Sequence, residues 1–173
     1  MGNPARRHIF LVAGFITEVR HAANREAHAR GCVLTVSGVD PRLAVNADRD
    51  LLLLAIGNLM QNAFKFTHLH TEVTLNPYAI ADRILIDVKD NCGGLSPGDT
   101  QKMFLPFSQT SENRSGLGVG LSIARQSVES NDGILSVRAV PGTGCVFTIN
   151  LPRNLMTDGG ERSVARVLGR GNE

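Results

Sequence analysis

The chain has 173 residues, of which 42% are hydrophobic and 20% charged, enough for one well-packed domain and short for two. Its formal net charge of +2 is too small to indicate a nucleic-acid or anionic-membrane partner. No apolar run approaches the roughly 20 residues of a membrane span, and no signal-peptide pattern is expected at the start. The three cysteines, Cys32, Cys92 and Cys145, lack metal-ligand spacing, so reduced thiols in a cytoplasmic protein are expected.

The first part of the chain alternates between helical and strand-like patterns. A helix is expected over Phe10–Arg30, ending at Gly31, because glycine readily adopts the left-handed conformation at helix ends. Asp48 suits the N-cap of a second, long helix that reaches about Thr67. Two short strand-like runs stand between these helices, Cys32–Ser37 and Leu43–Asn46.

The rest of the chain continues this α/β alternation. In Arg83–Lys89, apolar side chains occupy every second position, which is the period of a half-buried strand. A short helix is expected near Gly98–Phe104 and another over about Gly118–Ser130. Further strands are expected over Thr71–Leu75, Ile134–Ala139 and Cys145–Leu151.

The long second helix has two stripes of different character. Its apolar stripe is expected to face a sheet and consists of Leu52, Ile56, Leu59, Ala63 and Phe66. Asn58, Asn62 and Lys65 repeat the same spacing one residue earlier, so they line a neighbouring stripe. That stripe offers two amide oxygens and one ammonium group to a ligand, although such a stripe taken alone more often indicates a solvated helix face.

Four short motifs follow one another in a fixed order. They are Asn58-Leu59-Met60-Gln61-Asn62-Ala63-Phe64-Lys65-Phe66-Thr67, Asp90-Asn91-Cys92-Gly93-Gly94-Leu95, Phe104-Leu105-Pro106-Phe107 and Gly116-Leu117-Gly118-Val119-Gly120-Leu121. In this order and spacing they resemble the N, G1, F and G2 boxes of the catalytic ATP-binding domain of sensor histidine kinases. These kinases are a branch of the ATPase superfamily that also holds gyrase, the mismatch-repair ATPases and a heat-shock chaperone. The resemblance runs from about Ala29 to Pro152. It implies an α/β sandwich of the Bergerat type, with one mixed, largely antiparallel sheet and about three helices packed on one face.

The resemblance also implies roles in binding Mg-ATP. Asn62 is the implied Mg²⁺ ligand, since Mg²⁺ prefers hard oxygen donors and keeps several waters. Lys65 is implied to neutralise phosphate charge. Asp90 is implied at the base, because a carboxylate only accepts hydrogen bonds and so suits the exocyclic amine of adenine but not the carbonyl of guanine.

The G1 box departs from the family pattern Asp-x-Gly-x-Gly, because Cys92 stands at the first glycine. If that position requires a positive φ, Cys92 carries a strain cost there, of which Gly93 can absorb a part. Gly94 keeps the last glycine of the box and is a predicted nucleotide contact.

The G2 box precedes a helix, whose first turn presents free backbone N–H groups to an anion. Its predicted phosphate contacts are Gly116, Gly118, Gly120 and Leu121. The segment before it, Ser108–Ser115, resembles a short ATP lid with Arg114 as its cation and Phe107 at its base.

The expected reaction is phosphoryl transfer rather than hydrolysis. Hydrolases of the superfamily place a Glu four residues before the Mg²⁺-binding Asn, whereas this chain has Asn58, which cannot act as a general base at neutral pH. Histidine kinases carry the phosphoacceptor on a separate helical domain, in a motif where an acid follows the histidine. None of the five histidines here is followed by an acid, so the nucleophile is expected on a separate domain, with catalysis by positioning and charge neutralisation.

We therefore expect a catalytic domain that donates the γ-phosphoryl group of Mg-ATP to a histidine on the dimerisation and phosphoacceptor domain of its parent kinase, and so indirectly serves a response regulator. No nucleic-acid or membrane contact is expected, and the isolated chain is expected to be a cytoplasmic monomer. The expected organisation is a linker and first helix in 1–30, the catalytic core in 31–152 and a polar tail in 153–173. Two alternatives stay open: a stand-alone serine kinase like the anti-sigma factors, and an interaction module that binds nucleotide weakly.

Overall fold

The computed structural model describes residues 6–94, Phe104 and 119–154. Helices and strands alternate along these residues, as the sequence predicted. The strands are β1 (His8–Leu11), β2 (Val33–Val36), β3 (Ala44–Ala47), β4 (Glu72–Ile80), β5 (Arg83–Lys89), β6 (Ile134–Val140) and β7 (Gly144–Pro152). The helices are α1 (Val12–Ala29), α2 (Arg49–Phe66) and α3 (Gly120–Glu129).

The main sheet has five strands in the order β2-β4-β5-β7-β6. β2 runs parallel to β4, and the other neighbouring pairs are antiparallel. A separate antiparallel ladder joins β1 to β3. This mixed, largely antiparallel sheet, combined with the three described helices, confirms the predicted α/β sandwich.

One face of the sheet contributes to the core. Every second side chain of β5 and β7 is apolar and at most 2% exposed, which gives Ile84, Ile86, Val88, Phe147, Ile149 and Leu151. These side chains belong to one buried cluster that also includes Phe15 and Ile16 of α1 and Ile56 of α2. The first helix therefore shares the core of the sheet, while the division into 1–30, 31–152 and 153–173 stays a prediction.

The opposite face carries polar side chains that bond to one another across strands. Thr148 donates from Oγ1 to Oδ1 of Asp87 at 2.6 Å, and the hydroxyl of Tyr78 donates to Oδ2 of Asp87 at 3.2 Å. These bonds pair polar groups that are partly removed from water. The two faces together account for the alternating pattern of Arg83–Lys89.

α2 begins at the predicted cap. The side chain of Asp48 accepts a hydrogen bond from the backbone N of Leu51 at 3.1 Å, which satisfies one of the first-turn donors that have no partner within a helix. The backbone N of Asp48 donates to Oδ1 of Asn131 at 2.7 Å, so the start of α2 is tied to the turn that follows α3. Leu52, Ile56, Leu59 and Ala63 of the predicted stripe are buried, and Phe66 is half-buried.

Two expected element boundaries are wrong. Phe10 and Leu11 belong to β1 rather than to the first helix, because β1 pairs with the distant strand β3, a contact that local periodicity does not reveal. β4 continues past Leu75 to Ile80 and includes Pro77. Proline is tolerated there because β2 pairs with β4 only as far as Leu75, so no strand faces its missing N–H.

Some expectations concern residues outside the described ranges. The short helix near Gly98–Phe104, apart from Phe104 itself, the segment Ser108–Ser115 and the tail beyond Asn154 are among them. Within the described ranges, no helix is long and apolar enough to cross a bilayer.

Candidate functional site

The polar stripe of α2 meets the first turn of α3. A Cβ placed on Gly120 would lie 3.4 Å from Oδ1 of Asn58. Asn62 and Lys65 lie one and two helical turns further along the stripe and are half-buried, like Asn58. The three predicted N-box residues therefore line one wall, and the start of α3 stands at one end of it.

The side-chain amide of Asn58 has an unpaired donor. Its Nδ2 atom is buried and has no hydrogen-bond partner among the residues that the structure describes. Leaving a buried donor unpaired costs about 1–3 kcal/mol. This position therefore suits a ligand that brings an acceptor oxygen, and a phosphate oxygen is such an acceptor.

The first turn of α3 directs backbone donors to the same end of the site. Its N-cap, Val119, makes no side-chain cap bond, and the turn holds no acidic residue. Ser122 does not cap the helix either, because its hydroxyl donates to the carbonyl O of Val119 at 2.8 Å. The first N–H groups of a helix have no partner within it and carry the positive end of its dipole, so this turn suits an anion.

Asp90 follows β5 directly and is 2% exposed. Its backbone N donates to the carbonyl O of Cys145 at 3.0 Å, which extends the β5–β7 ladder by one pair. Its Oδ1 atom accepts from the backbone N of Cys145 at 3.0 Å and from that of Cys92 at 3.2 Å. Both of these backbone donors bond to Oδ1, which leaves Oδ2 better placed to accept from a ligand.

The end of α2 holds the loop that contains Asp90. The backbone N of Asn91 donates to Oγ1 of Thr67 at 3.1 Å, and the backbone N of His68 donates to the carbonyl O of Asn91 at 3.0 Å. From Asn58 to Thr67 the helix rises by roughly 14 Å, at 1.5 Å per residue. One helix therefore connects the anion-binding end at α3 with the carboxylate end at Asp90.

The bend of the G1 box falls on its two glycines. Gly93 and Gly94 have φ angles of +91° and +99°, whereas Cys92 is not among the residues of positive φ. The backbone N of Gly93 donates to the carbonyl O of Thr143 at 2.8 Å, which holds the loop against the β6–β7 turn. The condition for strain at Cys92 is therefore not met.

Gly144 and Cys145 are site residues that the sequence reasoning missed. A Cβ on Gly144 would lie 2.2 Å from the carbonyl O of Asp90 and 2.6 Å from its Oδ1, so only glycine fits. Cys145 follows it, is 1% exposed and holds the carboxylate of Asp90 through its backbone N. The sequence shows Gly144 only as part of a turn, and a turn pattern carries no information about which loop packs on it.

The two thiols beside Asp90 are held in the neutral form. Burial is the main cause that raises the pKa of Cys92, and the negative charge of Asp90 raises it further. Burial and then the charge of Asp90 raise the pKa of Cys145 to about 12. Neither is an activated thiolate at neutral pH, in keeping with the interpretation of Cys92 as a packed residue.

Lys65 of the N box and Phe104 of the F box both make contacts with aromatic rings. Lys65 places Nζ 5.3 Å from the ring centroid of Phe66, within the range of a cation–π contact. Phe104 of the F box packs edge to face on Phe147 with ring centroids 6.2 Å apart, and the guanidinium of Arg125 lies 5.7 Å from the centroid of Phe104. The F box is therefore anchored on the core through Phe104.

The structure describes Gly94, Gly120 and Leu121 among the predicted glycine-box contacts. Phe107, Arg114, Gly116 and Gly118 lie outside the described residues, so their contacts stay predictions. The described residues fit a nucleotide, because a buried amide donor and an uncapped helix start lie at one end and a buried acceptor carboxylate lies at the other.

Comparison with known proteins places this geometry in a family. Residues 47–155 match the family described as histidine kinase-, DNA gyrase B- and HSP90-like ATPase. The alginate biosynthesis sensor protein KinB of Pseudomonas aeruginosa is 32% identical over 112 residues, which are 65% of this chain and 18% of the relative. The sensor histidine kinase ZraS of Salmonella typhi is 28% identical over 138 residues, 79% of this chain and 29% of the relative.

Solved structures agree on the fold. Full-length ShkA in complex with AMPPNP superposes with a TM-score of 0.79 and 25% identity, over 91% of this chain and 33% of that protein. The catalytic domain of histidine kinase ThkA superposes with a TM-score of 0.75 over 85% of this chain and 95% of that domain, and its 22% identity shows the fold alone.

The chain belongs to the histidine kinase-, DNA gyrase B- and HSP90-like ATPase family, and its sequence and fold are those of the catalytic ATP-binding domain of a sensor histidine kinase. It spans between 18% and 29% of the length of KinB and ZraS.

Proposed function

We propose that this domain binds Mg-ATP and donates the γ-phosphoryl group to a histidine on the separate dimerisation and phosphoacceptor domain of its parent kinase. The observation that carries the proposal is the buried Nδ2 of Asn58, which has no hydrogen-bond partner among the described residues and lies beside the start of α3, where no side-chain cap bond is described. Together they form a place for phosphate oxygens on the helix that leads to the carboxylate of Asp90.

Asp90 accepts from the amine of adenine through Oδ2, and Asn58 donates to a phosphate oxygen. The α3 start provides backbone donors to the phosphates, and Lys65 neutralises their charge. Asn62 contributes an amide oxygen to Mg²⁺, which when bound lowers the repulsion between the phosphate oxygens and the incoming nucleophile. Besides Asn58, the proposed nucleotide contacts are Asn62, Lys65, Asp90, Gly94, Phe107, Arg114, Gly116, Gly118, Gly120 and Leu121.

Catalysis in this proposal consists of positioning and charge neutralisation. Asn58 stands where hydrolases of the superfamily carry a glutamate, and an amide cannot take a proton from water at neutral pH. The acceptor histidine therefore has to supply the nucleophile, and a response regulator then receives the phosphoryl group. We place this reaction in the cytoplasm, where ATP is available, and propose that the isolated domain is a monomer.

The direct test supplies the acceptor in trans. The chain is incubated with γ-labelled Mg-ATP, alone and together with the dimeric helical domain of its parent kinase. We expect no self-labelling of the chain and a label on one histidine of the added domain, in an acid-labile and base-stable bond. The matched control replaces that histidine with glutamine, which should abolish labelling.

Other outcomes point to other functions. A label on serine or threonine would transfer the chain to the class of anti-sigma-like kinases, and rapid release of inorganic phosphate would indicate a hydrolase. Label on any of the chain's own five histidines would contradict the separate acceptor. Absence of ATP binding with and without Mg²⁺ would indicate the interaction module.

A further inference from the structure

Three potential metal ligands converge at the end of β5. Oxygen of the Asp90 carboxylate and the Sγ atoms of Cys92 and Cys145 all lie within 4.8 Å of one another. The two cysteines are distant in sequence, and both are free thiols. Asp90 and Cys145 are buried, and Cys92 is half-buried, so the cluster has one side open to a ligand.

We propose that these three residues form a binding site for a thiophilic divalent cation of the zinc class. Zn²⁺ takes cysteine sulfur at about 2.3 Å and carboxylate oxygen at about 2.0–2.2 Å in a tetrahedron. Two sulfurs in such a tetrahedron are about 3.8 Å apart, so their separation has to decrease by at most about 1 Å. The three residues fill three positions, and water occupies the fourth.

The backbone holds the ligands in place from both sides. The carbonyl O of Cys145 accepts a hydrogen bond from the backbone N of Asp90, and the backbone N of Cys145 donates to Oδ1 of the Asp90 carboxylate. The backbone N of Cys92 donates to the same Oδ1 atom. The bond from Gly93 to Thr143 fixes the loop against the turn that precedes Cys145. Because Oδ1 already accepts from these two backbone donors, we assign Oδ2 as the ligand atom of Asp90 in the proposed site.

Binding displaces the two thiol protons. One Zn²⁺, two thiols and one carboxylate give a bound Zn²⁺ with two thiolates and one carboxylate, and two protons leave to solvent. No electrons are transferred. A disulfide between the same cysteines would need an external oxidant, whereas binding of the cation needs none.

The site has a consequence for nucleotide binding, and this part rests on the proposed function. The cation and the amine of adenine require the same carboxylate of Asp90, so they exclude each other. A cytoplasmic rise in a zinc-class cation would therefore release nucleotide and stop the kinase. Gly at position 92, as in the family pattern, would remove one of the two sulfurs.

The test is an anaerobic titration of the whole chain with Co²⁺, followed by displacement with Zn²⁺. We expect one equivalent of Co²⁺ to produce a thiolate-to-cobalt charge-transfer band, which Zn²⁺ then removes. Cys92→Ser and Cys145→Ala should each weaken binding by at least about 10-fold, the lower end of what even the loss of an outer-shell partner costs. Cys32→Ser is the matched control and should bind as the unaltered chain does, because Cys32 lies outside the cluster.

Thermal unfolding of each variant shows whether weaker binding comes from a missing ligand or from an unfolded chain. Because Cys92 is only half-buried, Cys92→Ser is the variant that best preserves packing. Absence of the band in the unaltered chain, or its persistence in a folded Cys92→Ser variant, would overturn the site. A second titration adds ADP before Zn²⁺ and measures the affinity for free Zn²⁺, with the chelation of Zn²⁺ by ADP itself determined without protein and subtracted. If Zn²⁺ binds through Cys92 and Cys145 but ADP does not compete, the metal site stands and the placement of adenine at Asp90 is wrong.

Discussion

Among single residues, Asp90 has the clearest consequence for selectivity. Its carboxylate is buried and can only accept, so it matches the amine of adenine and opposes the carbonyl of guanine. A mismatched buried polar group costs about 1–3 kcal/mol, so ATP and ADP should bind at least about 5-fold more tightly than GTP. Calorimetry with the three nucleotides checks this, and an Asp90→Ala variant with unchanged ATP affinity would contradict the assignment.

Asn62 provides a test of the metal ligand. If its amide oxygen holds Mg²⁺, Asn62→Leu should abolish the increase in ATP affinity that Mg²⁺ causes, while Asn62→Asp retains an oxygen donor and should keep that increase. The measurement is ATP affinity with and without Mg²⁺, with circular dichroism to verify folding. A folded Asn62→Leu variant with normal Mg²⁺ dependence would remove Asn62 from the site.

Cys92 reports on where the base lies. Bound ADP should slow alkylation of Cys92, because its loop carries Asp90, whereas half-buried Cys32 lies outside the cluster and should label at a rate independent of ADP. Burial raises the pKa of Cys92, so its alkylation should be slow near neutral pH and accelerate as the pH rises. The pKa of about 12 at Cys145 should keep that thiol inert. Site-resolved mass spectrometry measures all three, and unaltered labelling of Cys92 in ADP would place its loop away from the base.

Among the elements, α2 depends on its N-cap. Asp48 bonds to the first turn of α2 and to the backbone N of Arg6, and its own backbone N bonds to Asn131. Asp48→Ala should lower the free energy of unfolding by about 1 kcal/mol at neutral pH. Asp50→Ala is the control, because Asp50 lies in the same turn and provides only the helix-dipole contribution.

The same contribution has a defined pH dependence. Burial acts to raise the pKa of the Asp48 carboxyl, but the hydrogen bonds from the N–H groups of Leu51 and Arg6 outweigh it and lower the pKa below 3.8. A carboxyl whose pKa is lowered by folding stabilises the folded state above its unfolded pKa and loses that effect as the pH falls through its folded pKa. Urea unfolding at neutral pH and at about pH 3 or lower should therefore show a smaller deficit of Asp48→Ala in acid. An equal deficit at both pH values would mean that the carboxylate charge does not contribute.

For the whole molecule, the proposed separation of the ATP site from the acceptor histidine would govern the rate of phosphoryl transfer. A tethered acceptor has an effective concentration near millimolar at the ATP site. A separate domain is present there only at the roughly micromolar concentration at which it is added. Labelling in trans should therefore slow about 10-fold for each 10-fold dilution of the helical domain, while the binding of ATP is unchanged. Initial rates over a dilution series measure this, and a rate independent of dilution would indicate a tight complex between the two domains.

Much of the fold and part of the site could be read from local pattern. The apolar stripe of α2, the cap at Asp48 and the period of Arg83–Lys89 are interactions among near neighbours in sequence, and the structure reproduces each of them. The start of the first helix was predicted wrongly because the pairing of β1 with β3 competes with helical periodicity there. Asn58, Asn62 and Lys65 could be grouped because 3.6 residues per turn place them on one stripe.

The sequence by itself determined the class of fold, the order of the nucleotide boxes and the candidate residues within each, because these are encoded in short spacings and residue types. Only the tertiary structure decided how the boxes meet. It brings Gly144 against Asp90, places the bend of the G1 box on Gly93 and Gly94, and leaves Nδ2 of Asn58 without a partner among the described residues at the start of α3. It also gathers Cys92 and Cys145 around one carboxylate, although their spacing in the chain indicates no metal site. The physical reason is that sheet register and loop packing join residues far apart in the chain, and no local spacing specifies which of them will touch.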